Sequence, residues 1–307
     1  MAAHALDSKA MTDPLASSGL VIVDKPADMT SHDVVARLRR YFGTRKVGHA
    51  GTLDPMATGV LIAGLERGTK FLAHLVAATK AYEATIRLGA ATTTDDVEGE
   101  ITSRGATGAL DDAPILAAIQ DLRGDIMQRP ASVSAIKIAG KRAHERVRDG
   151  EDVEIPARPV TVHSFEVNSI TRTDGWIDIE CSVECSSGTY IRSLARDLGE
   201  ALGCGGHLTA LRRTAVGNFY LDDSAPLAEL EESPRLSLSL DEALTRCYPV
   251  LEVTADEQAA LAMGQWLEPR GLEGTHAAVG PDGRAVALVK EKGKRLATVF
   301  VARPSTL

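Results

Sequence analysis

The sequence predicts an α/β (α+β) protein: a mixed, largely antiparallel central sheet flanked by helices, followed by a small barrel-like C-terminal unit. Three observations carry that expectation. Strand-like and helix-like segments follow one another in irregular order, without the strict strand-helix-strand beat of an all-parallel sheet. YEATIRL, from Tyr82, and WIDIECSVEC, from Trp176, alternate apolar and polar residues with the period of two that a half-buried strand requires. An acidic stretch with Pro and Ser, residues 221–246, then separates this mixed pattern from a tail of short strand signals.

Residues 1–16 are small and polar with no apolar signal core, and read as a disordered leader. GLVIVDKP is a short apolar strand ending in a Lys-Pro turn. Thr30 and Asp33 form a capping-box pattern ahead of VVARLRRYF, whose Val34, Val35, Leu38 and Phe42 fall at helical spacing. After the loop GHAGTLDP, TGVLIAGL reads as a buried strand, and Tyr82, Ala84, Ile86 and Leu88 share one face of the next. TTTDDVEGE is too polar for a core and reads as a loop. APILAAIQDLRG is an amphipathic helix begun by Asp112 and closed by Gly124.

A basic section follows: SVSAIKI as a strand, AGKR as a turn, AHERVRDG as a helix. VTVHSFEV and IDIECSVEC add two strands, and Thr189 is placed to cap a helix through IRSLARDLGEALG. Beyond the acidic stretch, TADEQAALAMG is helical, and AVALV and LATVFVAR are strands. The expected organisation is therefore a leader over 1–16, a large domain over 17–220, an acidic linker over 221–246 and a small domain over 247–307.

Composition excludes several classes. No apolar run approaches the roughly 20 residues of a membrane helix, so a soluble, cytoplasmic chain is expected. Cys181 and Cys185 lie on one face of a strand and read as core thiols, while Cys204 and Cys247 make no second metal-binding pair. The histidines lack the helical pairing around a glutamate that a zinc hydrolase needs, and no metal is expected. GLERGTK fails as a phosphate loop, because only three residues separate Gly64 from Gly68 where four are needed, and Thr69-Lys70 follow in the wrong order. The formal net charge of −8 argues against a nucleic-acid partner, but its distribution does not. RLRRYFGTRK, residues 37–46, carries five cations and no acid, and residues 123–148 carry seven Lys or Arg against Asp125 and Glu145. Such surfaces are either solvated faces or phosphate-binding faces on an otherwise acidic protein.

Asp54 stands as the one acid in GHAGTLDPMATG. Asp before Pro is ordinary helix or turn punctuation. In a loop where Gly51 permits close approach and Pro55 biases Asp54 away from helical geometry, it is equally a carboxylate aimed at a ligand. A buried carboxylate would need a cation, and Arg192, after the Ser-Gly-Thr turn of SSGTYIRSLARDLG, is either that partner or a surface arginine of an amphipathic helix. Tyr82 and Tyr190, taken singly, are core aromatics with a wet hydroxyl or pocket walls.

Together these pieces resemble the TruB-type tRNA pseudouridine synthases, which isomerise uridine-55 in the T loop of tRNA. The resemblance runs from about Gly19 to Phe219. GLVIVDKPADMTSHDVV is similar to the family's opening Lys-Pro motif, and KVGHAGTLDPMATGVL to the motif whose catalytic aspartate falls on Asp54. KAYEATIRLG resembles the strand bearing the active-site tyrosine, here Tyr82, and TTTDDVEG the following loop, whose aspartate falls on Asp96. SAIKIAGKRAHERVRDG is similar to the basic RNA-contacting section, with His144 where a tyrosine is usual. SSGTYIRSLARDLGEALGCGGHLTALRRTAVGNF is similar to the last motif and places its arginine on Arg192 and its pocket leucine on Leu211. The tail resembles the family's PUA-type RNA-binding domain.

The resemblance implies an isomerase acting on tRNA as a monomer, with no cofactor and no metal, and with an accessory role in tRNA folding. Breaking the C1′–N1 bond and rejoining at C5 is redox-neutral; it needs a carboxylate beside the sugar, a closed pocket and a base for the C5 proton. Asp54, Tyr82 and Arg192 are the implied catalytic set. Tyr190 and Leu211 would wall the pocket, His49 would fill the space left by the flipped base, and Lys25 would support the floor. Lys137, Lys141 and Arg142 would meet phosphates. A glycosylase that releases free uracil, or an RNA-binding module without activity, would use much of the same surface.

Overall fold

Alternation in the sequence becomes a choice of face in the sheet. The computed structural model describes residues 13–131, 137–138, 141–142 and 156–307. The chain runs β1 (Gly19–Lys25), α1 (Ser31–Tyr41), β2 (Val47–Ala50), β3 (Thr58–Leu65), α2 (Gly68–Phe71), β4 (Lys80–Leu88), β5 (Ala90–Thr92), β6 (Ile101–Arg104), α3 (Asp112–Asp121) and β7 (Gly124–Gln128). A small ladder, β8 (Lys137–Ile138) with β9 (Lys141–Arg142), precedes β10 (Arg158–Thr173), β11 (Trp176–Cys185), α4 (Ile191–Ala201), β12 (Gly206–Val216) and β13 (Phe219–Tyr220). Then come β14 (Ala225–Pro226), α5 (Leu227–Glu232), β15 (Leu238–Ser239), α6 (Leu240–Cys247), β16 (Val250–Glu252), α7 (Ala255–Ala262), β17 (Thr275–Val279), β18 (Ala285–Glu291) and β19 (Leu296–Val301). The helix expected over AHERVRDG, and His144 within it, lie outside the described residues.

Eleven strands form one sheet in the order β14-β1-β3-β12-β4-β11-β10-β7, with β2, β13 and β15 added to β3, β12 and β1. Its ladders are antiparallel except β1 with β14 and β3 with β12, so the mixed, largely antiparallel sheet is the one the sequence predicts. The parallel contact of β3 with β12 shapes the Asp54 loop. Arg213 of β12 lies opposite Gly59 of β3, where a Cβ would come within 2.2 Å of the Arg213 carbonyl. Glycine with φ +99° is what lets the strand after the Asp54 loop come this close.

The continuous apolar strands are buried on both faces, as expected for runs without alternation. In β1, Val21 and Val23 face α1 and its Val34 and Leu38, while Leu20 and Ile22 pack with Leu244 of α6 and with Leu288 and Phe300 of the C-terminal strands. In β4 the inward residues Tyr82, Ala84, Ile86 and Leu88 are buried and Glu83 is exposed, matching the period of two. Cys181 and Cys185 share that inner face on β11, and burial pushes their thiols up to about 12 and about 11, so both stay protonated and inert at neutral pH.

The C-terminal strands make a four-stranded sheet, β16-β17-β18-β19, whose ladder is open with β16 and β19 at its edges. It is fastened to the large sheet by charge as well as by apolar packing. Arg67 Nε donates to the Ala302 carbonyl at 2.7 Å, and its Nη2 donates to that of Val301. Residues 221–246 carry β14 and β15, which pair with β1, and the helices α5 and α6. Glu231 of this acidic segment meets Arg40 at 2.7 Å, so part of the basic run on α1 is answered within the chain.

Some local expectations differ. Thr189 does not cap α4: its hydroxyl donates to the Ser186 carbonyl at 2.9 Å, closing the turn, and Tyr190 is the N-cap residue, with no capping bond from its side chain. Of the leader expected over 1–16, residues 13–16 form a turn. Leu15 is buried there because it joins the core shared by the two sheets, and Asp13 pairs with Arg303 at 2.8 Å.

Arg303 also meets Asp241, so it ties the last residues of the chain to the start of order and to α6. It holds the Asp13 carboxyl down at about 2 against an ordinary 3.8. A depressed carboxylate pKa contributes stability that is present above the unfolded value and lost as the pH falls through the folded one. Arg303→Leu is therefore predicted to be less stable than wild type to urea at pH 7. The part of this deficit that Asp13 supplies, about 1 kcal/mol after solvent screening, should shrink between pH 4 and pH 2.

Candidate active site

The loop between β2 and β3 is held at every residue from 51 to 55 by side chains of four different elements. Arg213 of β12 is 1 % exposed and donates to the carbonyls of Gly51 (2.8 Å), Thr52 (3.4 Å) and Val60 (2.7 Å). Ser31, the first residue of α1, bonds to Leu53 twice, accepting from its N–H at 2.9 Å and donating to its carbonyl at 3.2 Å. Lys25 at the end of β1 donates to the carbonyls of Pro26, Met29 and Pro55 at 2.7, 2.6 and 3.1 Å. Asp54 itself accepts from Ala57 N–H through its carbonyl and opens a turn with Pro55 second, so the punctuation reading holds for its backbone. Its carboxylate does something else.

Arg192 grips that carboxylate with two nitrogens: Nε lies 2.9 Å from Oδ2, and Nη2 donates to Oδ1 at 3.1 Å. The paired planar geometry fixes direction as well as charge. The Arg192 side chain is 5 % exposed and that of Asp54 34 %, so the guanidinium sits behind and the acid faces outward. On its far side Arg192 Nη1 donates to the Thr94 carbonyl at 2.9 Å and lies 3.5 Å from Asp96 Oδ2. Asp96 is 2 % exposed, against the reading of TTTDDVEGE as an outer loop. Its burial is offset locally: the Thr94 hydroxyl and Glu98 N–H donate to Oδ1, and the guanidinium faces Oδ2.

Asp54 opens into a cleft of about 720 Å³. Tyr82, Tyr190, Leu211, His49 and Arg192 line it, so five of the residues singled out in the sequence surround the carboxylate. Lys25 and Asp96 are not on the wall. Lys25 is fully buried and acts on the loop, and Asp96 acts on Arg192. Lys137, Lys141 and Arg142 lie on the β8-β9 ladder, where the backbone alone is described.

Electrostatics follow burial. Burial pushes the Tyr82 phenol up, and nearby Arg213 opposes this, so Tyr82 is neutral at physiological pH. Burial lowers Lys25 to about 8 despite the attraction of Asp54. Burial, with His32 and Arg213 beside it, lowers His49 and keeps the imidazole neutral. His32, in edge contact with His49 at 6.1 Å between ring centroids, shares the cleft mouth.

Three residues escaped the sequence reading. Arg213 orders the Asp54 loop, and Lys80 lines the cleft, 9 % exposed. Arg196, 8 % exposed, pairs with Asp95 at 3.1 Å and Asp197 at 2.7 Å and so secures the loop that carries Asp96. Lys80 was discoverable, because it shares the inward parity of Tyr82 on β4, where a cation is out of place.

Three family descriptions match the chain in succession between residues 39 and 303. These are TruB family pseudouridylate synthase (N terminal domain) over 39–191, tRNA pseudouridylate synthase B C-terminal domain over 192–248, and tRNA Pseudouridine synthase II, C terminal, over 248–303. The tRNA pseudouridine synthase B of Corynebacterium aurimucosum is 73 % identical across 97 % of this chain and 100 % of its own length. That of Mycolicibacterium paratuberculosis is 56 % identical across 94 % and 99 %. Among solved structures, the similar chain of a Cbf5-Nop10-Gar1 complex has a TM-score of 0.70 at 26 % identity, covering 95 % of this chain and 87 % of that one. Identity at this level over essentially the whole length, on a fold that also carries the paired aspartate and arginine, means that the chain belongs to the TruB family of tRNA pseudouridine synthases.

Proposed function

We propose that the substrate is uridine-55 in the T stem-loop of tRNA, that the uridine is flipped out to react, and that Asp54 is the essential carboxylate. The observation that carries this reading is the Asp54–Arg192 pair at the head of a cleft walled by Tyr82, Tyr190 and Leu211. Removing a base from a structured loop costs a few kcal/mol. Stacking on Tyr82, on the order of 1–3 kcal/mol, offsets part of it. His49, at the mouth, fills the space the base leaves.

Arg192 fixes the direction of the Asp54 carboxylate at the head of the cleft, so it is poised to attack the sugar or the uracil or to take a proton from C2′. Any of the three cuts the C1′–N1 bond. Tyr82, Tyr190 and Leu211 then retain the detached uracil while it turns and rejoins through C5. The Tyr82 hydroxyl relays the C5 proton, and atoms balance with no external reagent.

In this reading residues 17–220 form the catalytic unit, 221–246 connect it, and 247–307 add an RNA-binding surface. The last is supported by an exposed Trp266 with Arg295 stacked 4.7 Å from its ring beside Lys292, a sequence-tolerant arrangement for a base and phosphates. Lys137, Lys141 and Arg142 contribute further phosphate contacts, and the chain works as a cytoplasmic monomer.

Wild type is expected to release tritium from 5-tritiated uridine at position 55 of a tRNA transcript, and Asp54→Asn to release none while still binding the RNA. Tritium loss accompanied by free uracil would instead indicate a glycosylase. A second expectation concerns the pair's surroundings. Arg192→Met strands Asp96 in the interior and should cost roughly 3–5 kcal/mol of stability in urea denaturation. Adding Asp96→Asn should restore part of that stability but none of the activity.

A further inference from the structure

Two buried cations of the cleft, Lys80 and Arg213, have no carboxylate partner among the described residues, and they are not equivalent. Arg213 directs its donors at three backbone carbonyls and is a structural clamp. Lys80 Nζ donates to the Ala78 carbonyl at 2.9 Å and only at 3.4 Å to that of Val76. An ammonium has three donors, so at least one is unused while the side chain is 9 % exposed. Burial lowers its pKa, and Arg213 nearby lowers it further. The free protein thus holds a desolvated positive charge beside a second one, an arrangement that costs stability unless something else answers it.

Position narrows what that is. Val76, whose carbonyl Lys80 reaches, is 55 % exposed and lines the cleft, as does Ser187, whose hydroxyl donates to the same carbonyl at 2.7 Å. The side chain therefore runs beside Gly51 of the Asp54 loop, and its ammonium reaches the carbonyl of Val76 on the exposed side of the cleft. A neutral uracil ring recovers little of an ammonium's lost hydration, whereas an anionic oxygen recovers much. The rim is also where the strand on either side of an extruded nucleotide must pass.

We propose that Lys80 binds a non-bridging oxygen of the phosphodiester adjoining the extruded uridine, and so positions the nucleotide over Asp54. The inference rests on the proposed isomerisation of uridine at this cleft, and no bond to Lys80 forms or breaks.

Lys80→Met keeps the length and apolar stem but removes the charge, and Lys80→Gln keeps a hydrogen-bond donor without charge. For both, tRNA affinity is expected to fall about tenfold at moderate salt, and the slope of log affinity against log salt to lessen by about one contact's worth, 0.7 to 0.9. The loss should appear mainly in KM, and the melting temperature of Lys80→Met should equal or exceed that of wild type, since a buried unpaired charge has gone. Unchanged affinity and salt slope in both variants would overturn the proposal. A lowered melting temperature in Lys80→Met, with Lys80→Gln binding like wild type, would make Lys80 a structural tether and also overturn it. If wild type itself released no tritium from the transcript, the failure would lie in the proposed reaction and not in Lys80.

Discussion

One guanidinium between two carboxylates governs this structure. Arg192 is almost wholly buried, with Asp54 in front and Asp96 behind. A buried arginine without anions would be untenable, and either acid without the arginine would be too. The two acids differ only in their surroundings. Asp96 is enclosed by its own loop and almost wholly buried, whereas the Asp54 side chain is about one-third exposed to the cleft. The charge that Asp96 contributes therefore serves to hold Arg192, and Arg192 in turn holds the acid that faces the cleft.

The fold supplies this arrangement by bringing four distant segments to one loop. β1 contributes Lys25, α1 contributes Ser31, α4 contributes Arg192 and β12 contributes Arg213, each bonded to a different residue between 51 and 55. A loop so constrained keeps its carboxylate within the few tenths of an ångström that positioning requires. Two glycines complete it from the other direction: a Cβ at Gly59 would fall 2.2 Å from the Arg213 carbonyl, and Gly51 holds a left-handed φ of +77° that disfavours a side chain. The parallel contact of β3 with β12, an exception in an antiparallel sheet, is what carries Arg213 to this place.

Much of this is legible in the amino-acid sequence. The period of two on β4 and β11 sets their inner faces, and the capping box at Thr30 and Asp33 sets the start of α1. What composition hides is burial of charge. Asp96 sits in a segment whose average polarity says surface, because its neighbours Val97 and Glu100 are indeed outside while Asp96, like Thr92, is buried. Arg213 reads as one of two arginines in a strand, and only three-dimensional proximity reveals the carbonyls it meets. The expected bipolar charge map is also partly internal: Arg40 answers Glu231, so charge counted along the chain overstates what is free for RNA. Asp54 and Arg192, 138 residues apart, are linked by no periodicity: the need of a buried carboxylate for a cation makes Arg192 one candidate partner, and the family resemblance is what selects it.

The most direct test of the central claim is a crystal structure of the protein with a T stem-loop carrying 5-fluorouridine at the target position, where fluorine replaces the hydrogen that C5 must lose. The account predicts the base against Tyr82, C1′ within about 3.5 Å of an Asp54 oxygen, and Arg192 still bound to the same carboxylate. A target base left stacked in the RNA loop, or Asp54 swung away from Arg192 with the sugar out of reach, would contradict it.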